Sequence, residues 1–209
     1  KDSRPVVVTN HSCNSWGHFE ESVLELVTEE EKSPNELRAK IIEKAKEFVK
    51  NIIERGEGVY APKVSDGHEY YKIRFFDVGF HVKNDKVTAL VYSTDYAGGR
   101  ISRKPDLICR AKCHPDDVFN EHIGKAIALG RALGLDKDVL EFENAVQPTK
   151  VVQGQVIVWK PDGEKILYRI DDKTGNQFNF TEVKSNEKHH NYEYREIEKY
   201  TNIVDDTNA

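Results

Sequence analysis

Leu107–Gly134, LICRAKCHPDDVFNEHIGKAIALGRALG, is where the chain turns from strand to helix. Leu107 to Cys113 reads as a short strand, and a sharp turn follows at His114-Pro115. Phe119, Ile123, Ile127 and Leu133 then give an apolar face at helical spacing over residues 116–133. Gly124, Ala126, Ala128, Gly130 and Ala132 keep that helix slim. An interior glycine costs a helix ~1 kcal/mol relative to alanine. Gly124 and Gly130 therefore predict a surface packed very close to this helix, and a sheet is the obvious one.

The turn itself, Cys113-His114-Pro115-Asp116-Asp117, admits a structural and a chemical reading. Structurally, proline suits a first helical turn, where its missing N–H costs nothing. Asp116 and Asp117 would then set negative charge at the positive end of the helix dipole. His114 becomes a turn or cap residue and Cys113 a small buried filler. This reading explains every residue without a ligand and is the one favoured here. Chemically, imidazole and carboxylate are good zinc ligands, and zinc lowers the pKa of bound water enough for attack near neutral pH.

Two resemblances attach to these residues. A strand running into His114-Pro115-Asp116-Asp117 resembles the metal-binding opening of the LmbE-like zinc deacetylases. That resemblance implies His114 and Asp117 as zinc ligands and Asp116 as general base, with a third ligand from His122, His189 or His190. The longer pattern C-H-P-D-D-x-F-N-x-x-I-G-K-A-I-A-L-x-R-A-L-G, after a strand, looks like a module in uncharacterised proteins of Bacillus-type phages and prophages. It spans Ile108–Gly134 and implies a mobile-element origin without a settled activity.

Upstream, Ser33 to Arg55 is the clearest helix. Ser33 and Glu36 form a capping box around Pro34. Leu37, Ile41, Ala45, Phe48 and Ile52 make one stripe, widened by Ile42, Val49 and Ile53, and Gly56 is placed to end the helix. Before it, Pro5–Thr9 reads as a strand and Phe19–Glu30 as a short helix. His11, Cys13 and His18 lie in or next to the polar loop between them, but their spacing matches no usual zinc pattern. Gly56–His68 reads as a loop. Strand patterns follow at Glu69–Phe76, Gly79–Lys83 and Val87–Ser93, with Asn84-Asp85 as the turn. The glycine-containing stretch 95–104 reads as a hairpin tip.

Downstream, Asp136 can cap a short helix over Lys137–Val146. Val151–Trp159, Glu164–Ile170 and Gln177–Val183 read as three strands joined by turns at 160–163 and Asp172–Asn176. The rest is polar.

The 209-residue chain is 38% hydrophobic and 32% charged, with net charge −5, enough for a sizeable core under a charged surface. Such a charge disfavours a general nucleic-acid binder and leaves room for a local basic patch. No apolar run approaches the ~18 residues of a membrane span. No signal-peptide pattern opens the sequence, and the absence of Met before Lys1 suggests a trimmed start. Three cysteines, an odd number, fit reduced thiols in a cytoplasm, here that of an infected or lysogenic bacterial host.

The expectation is an α+β protein: a mainly antiparallel sheet over Tyr70–Cys113, packed by helices at 34–55 and 116–133, with a C-terminal β-meander. Its parts are a core domain at 1–148, the meander at 149–185 and a polar, partly flexible tail at 186–209. The functional expectation is a non-catalytic accessory protein, without cofactor, that binds a host or phage protein or a small nucleotide-like ligand. Tyr192, Tyr194 and Tyr200 in an exposed tail suit a protein partner. Arg100, Arg103 and Lys104, with Arg110 and Lys112, offer a nucleic-acid contact that is not favoured. The enzymatic alternative is zinc-dependent hydrolysis at His114 and Asp117.

Overall fold

The computed structural model describes residues 32–55, 57–60, 72–94, 99–101, 103–159, 164–193 and 201–209, all within one compact unit, 32–209. Expectations at Pro5–Thr9, at His11, Cys13 and His18, at Phe19–Glu30, at Gly56, at the 160–163 turn and at Tyr194 and Tyr200 lie outside the described residues.

Helix α1 (Pro34–Arg55) begins as its sequence dictates. The Ser33 amide donates to Glu36 Oε2 at 2.8 Å, and the Glu36 amide points back to Ser33 Oγ at 3.4 Å. The Ser33 amide, and after it the Ser33 hydroxyl at 2.9 Å, donate to the ionised carboxyl, so Glu36 is held below the usual glutamate pKa. The buried stripe is rotated from expectation. Leu37 is left 38% exposed, and Arg38 takes the inward position with only 2% exposed, in line with Ile42 and Ala45.

The first sheet runs β1-β2-β3-β4: β1 (Glu57–Tyr60), β2 (Lys72–Lys83), β3 (Lys86–Ser93) and β4 (Leu107–Lys112), each antiparallel to its neighbour. Part of the expected 56–68 loop is thus a strand, and Gly79 lies inside one continuous β2. Asn84, at φ 53°, and Asp85 form the two-residue turn that joins β2 to β3. Alternation sends Phe76, Val78, Phe80 and Val82 to the helix-packed side, with Val87, Ala89, Val91 and Ala111. Helix α2 (Glu121–Ala132) packs on that side, with Ala128 and Leu129 fully buried. A Cβ on Gly124 would stand 2.6 Å from Val87 Cγ2, so the sheet is indeed what lies close. Gly130 is explained differently: there the near neighbour is Val139 Cγ1, at 2.2 Å.

Helix α2 starts later than the sequence suggested. Pro115 and Asp116 sit in a turn, and the cap is Asn120, whose Oδ1 accepts from the His122 and Ile123 amides at 3.0 and 3.1 Å. The Glu121 amide donates to Thr207 Oγ1 at 2.9 Å and that of Gly124 to the Asn120 carbonyl at 3.0 Å, which satisfies the first-turn donors. Asn has the stronger capping preference, and Phe119 is held extended by a strand, so the helix cannot begin earlier. The helix expected at 137–146 is one turn, α3 (Leu140–Glu143).

The second sheet has the order β8-β7-β6-β5-β9, all antiparallel: β5 (Val156–Trp159), β6 (Ile166–Thr174), β7 (Gln177–Glu182), β8 (Lys188–Glu193) and β9 (Thr201–Asp205). The 186–209 stretch, expected as a polar, partly flexible tail, thus supplies two strands. Register shifts in the β5–β9, β6–β7 and β7–β8 pairs bend this sheet around its own core of Ile157, Tyr168, Ile170, Phe178 and Phe180. The fold is α+β. Among the described residues no helix is long and apolar enough to cross a membrane.

Candidate functional site

Phe119 is the seam between the two halves. Its amide donates to the Val204 carbonyl and its carbonyl accepts from the Asp206 amide, both at 3.0 Å, in a parallel bridge beside β9. Asp206 then turns inward and takes Arg38 Nε and, at 3.0 Å, an Arg38 terminal nitrogen. Asn120 Nδ2 donates to Asp206 Oδ1 at 2.9 Å. The remaining Arg38 donors reach the carbonyls of Val146 and Val118 at 3.0 and 2.8 Å. A charge buried this deeply survives only when paired and hydrogen-bonded, and here both conditions hold. The network fixes α1, the α2 cap and the end of β9 against one another, and so positions the turn at 113–118.

That turn stands between two concavities. On one side is a cavity of about 180 Å³, lined by Cys113, His114, Asp117, Asn120, Arg131 and Phe142 among others. On the other is an open groove of about 880 Å³. Its walls are Pro115–Val118 with Gln147–Thr149 on one side, and Val158, Leu167 and Thr201–Val204 of the second sheet on the other. Leu167 is 42% exposed there, and the Asp116 side chain 90%.

The side chains of the turn do not converge as a ligand set. His114 Nδ1 accepts weakly from the Asp116 amide at 3.4 Å and lies 3.6 Å from Asp116 Oδ2. Cys113 Sγ points to the Asp117 carbonyl at 3.5 Å. Burial, then the nearby Asp117 carboxylate, pushes the Cys113 thiol above the usual range, so it is a poor nucleophile near neutral pH. Among the described residues the sole group of three close metal-type side chains is Glu182, Glu187 and His189, on the β7–β8 hairpin. His189, one of the three histidines that the zinc reading offers as a third ligand beside His114, is therefore placed with two carboxylates of its own hairpin.

The remaining candidates fall on separate surfaces. Tyr192, expected in an exposed tail, is half-buried in β8, its ring 4.8 Å from Phe180 and 6.1 Å from Trp159. Tyr168 in the same cluster has its hydroxyl pKa pushed up by burial and then by Glu182. Arg100 is held to Asp77 at 2.6 Å and lies over the Tyr92 ring at 4.0 Å. Arg103 and Lys104 are exposed beside it in sequence, before β4. Arg110 and Lys112 project from β4 on the face away from the helices.

Sequence reasoning missed Arg38 and Asp206, because an arginine within an apolar stripe reads as its solvated margin. The signal that could have found Asn120 is an Asn two residues before His122 and three before the apolar Ile123, the spacing of an N-cap. Comparison of the chain with family models, with curated proteins and with solved structures gives no match.

Proposed function

We propose that the chain is a non-catalytic phage or prophage accessory protein that binds a segment of a host or phage protein. The observation that carries this reading is the 880 Å³ groove beside the 115–118 turn. Its size suits a chain segment, and it is open to solvent along exposed residues such as Leu167 and Asp116. The cavity on the other side of the turn, at about 180 Å³, falls short of the ~300 Å³ at which small-molecule pockets begin. The groove itself is large enough for a small molecule, but its carboxylates at Asp116 and Asp117 would repel the phosphates of a nucleotide-like ligand. The groove has apolar character at Val158, Leu167 and Ile203, two carboxylates on the turn at Asp116 and Asp117, and one cation, Lys165, among its other lining residues. A segment with one apolar anchor beside a basic residue complements it.

The test is affinity capture from an infected-host lysate with wild-type and Leu167→Glu baits. Leu167 is exposed, so the variant keeps its fold, and thermal unfolding verifies that. Specific loss of a stoichiometric protein partner in the variant is expected. Identical capture by both baits contradicts the proposal. So does about one zinc per chain that disappears in Asp117→Ala, which would transfer the assignment to hydrolysis at His114 and Asp117.

A further inference from the structure

The strand register of the first sheet places like charges directly opposite one another. Lys83 pairs with Lys86 across β2–β3, and Lys86 pairs with Lys112 across β3–β4. Three lysines therefore stand in one row on three adjacent strands, on the face opposite Val82, Val87 and Ala111. Two positions along β4, Arg110 projects from the same face, opposite Thr88 and beyond it His81. All four cations are exposed. Asp85 reaches Lys112 at 3.8 Å, and among the described residues Lys83, Lys86 and Arg110 have no carboxylate partner.

Like charges directly opposed on a sheet are destabilising. Protection of an edge against aggregation would account for charges on β4, the edge strand. It accounts equally for Lys83, where β2 has run past its pairing with β1 at Lys72–Phe75, but not for Lys86 on β3, which is paired on both sides. Beyond the lysines and Arg110, Gly79, Leu90 and Ile108 form an apolar outward row, with Ile108 52% exposed, and then Tyr92 follows opposite Asp77, with the Arg100 guanidinium over its ring.

We infer that this face of the first sheet binds single-stranded nucleic acid. The lysine row and Arg110 take backbone phosphates, and bases lie against Leu90, Ile108 and the edge of Tyr92. The surface is three strands wide, too broad for a duplex major groove, which admits a helix or a two-stranded ribbon. A flexible single strand can drape across it with its bases splayed onto the apolar row. This surface is separate from the groove and does not depend on the reading given to it.

The experiment is fluorescence anisotropy with the full chain and three probes of equal length: single-stranded DNA, duplex DNA and poly-glutamate. Four phosphate contacts give a slope of log affinity on log salt of about −2.8 for a single strand, roughly 50-fold between 50 and 200 mM. The single strand is expected to bind most tightly and with that salt dependence. Lys83→Glu/Lys86→Glu/Lys112→Glu is expected to abolish binding. Lys86→Gln, the milder variant, is expected to weaken binding several-fold and to raise the thermal midpoint, because it relieves repulsion. A lysine with a merely structural role would lower that midpoint. No binding at low salt, a preference for duplex, equal affinity for poly-glutamate, or unchanged binding by the triple variant would each overturn the inference.

Discussion

Asn120 has two tasks, and substitution separates them. Its Oδ1 caps α2, and its Nδ2 donates to Asp206. Aspartate caps a helix as well as asparagine does. Asn120→Asp should nevertheless destabilise the fold, since it sets a second carboxylate against Asp206; a urea midpoint no lower than wild type would show that only the cap matters. Arg38→Ala and Asp206→Ala are each predicted to cost ~3–5 kcal/mol in urea unfolding, because each leaves an uncompensated buried charge. Removing both together should cost less than the sum of the two. His122 supplies a pH handle. Burial, then Lys46 and Lys125, holds its imidazole below the ordinary histidine pKa, against weaker opposing effects of Glu121 and Glu43. As pH falls through the unfolded value of ~6.5, the unfolded chain takes the proton first, so stability falls with pH until the lower folded value is reached. Thermal midpoints at pH 7.5 and 5.5 should differ less in His122→Gln than in wild type.

At the scale of elements, the sequence was readable where the causes are local. The Ser33–Glu36 box, the Asn84-Asp85 turn and the alternation along β3 each depend on neighbours within a few residues. The α2 start and the strands β8 and β9 depend on distant partners. Phe119 is extended because Val204 and Asp206 bond it. Residues 201–205 form a strand because β5 offers a free edge, not because Thr-Asn-Ile-Val-Asp carries a strong pattern. The glycines of α2 were read correctly as close-approach positions, but only Gly124 meets the sheet; Gly130 meets Val139, in the segment leading to α3. Gly→Ala normally stabilises a helix by up to ~1 kcal/mol. Gly130→Ala is predicted to destabilise instead, and Val139→Ala in the same chain to restore part of the loss. A simple gain in thermal midpoint for Gly130→Ala would contradict the packing described.

Across the whole molecule, β9 joins the second sheet to the helical half through Phe119, and Arg38, Asn120 and Asp206 lock that seam. The candidate site was only partly legible in the sequence. The 113–117 turn does mark a concave surface, but the opposite wall of the groove comes from strands more than forty residues away in sequence. The basic residues near β4 were visible singly; the row they complete with Lys83 and Lys86 exists only once the register is known. The groove proposed for a protein segment and the sheet face proposed for nucleic acid are separate surfaces. The most direct test is one capture experiment from infected-host lysate with three folded baits: wild type, Leu167→Glu, and Lys83→Glu/Lys86→Glu/Lys112→Glu. Leu167→Glu is predicted to lose the protein partner and keep nucleic acid, and the lysine variant to do the reverse. Three baits that retain the same protein and the same nucleic acid would contradict this prediction.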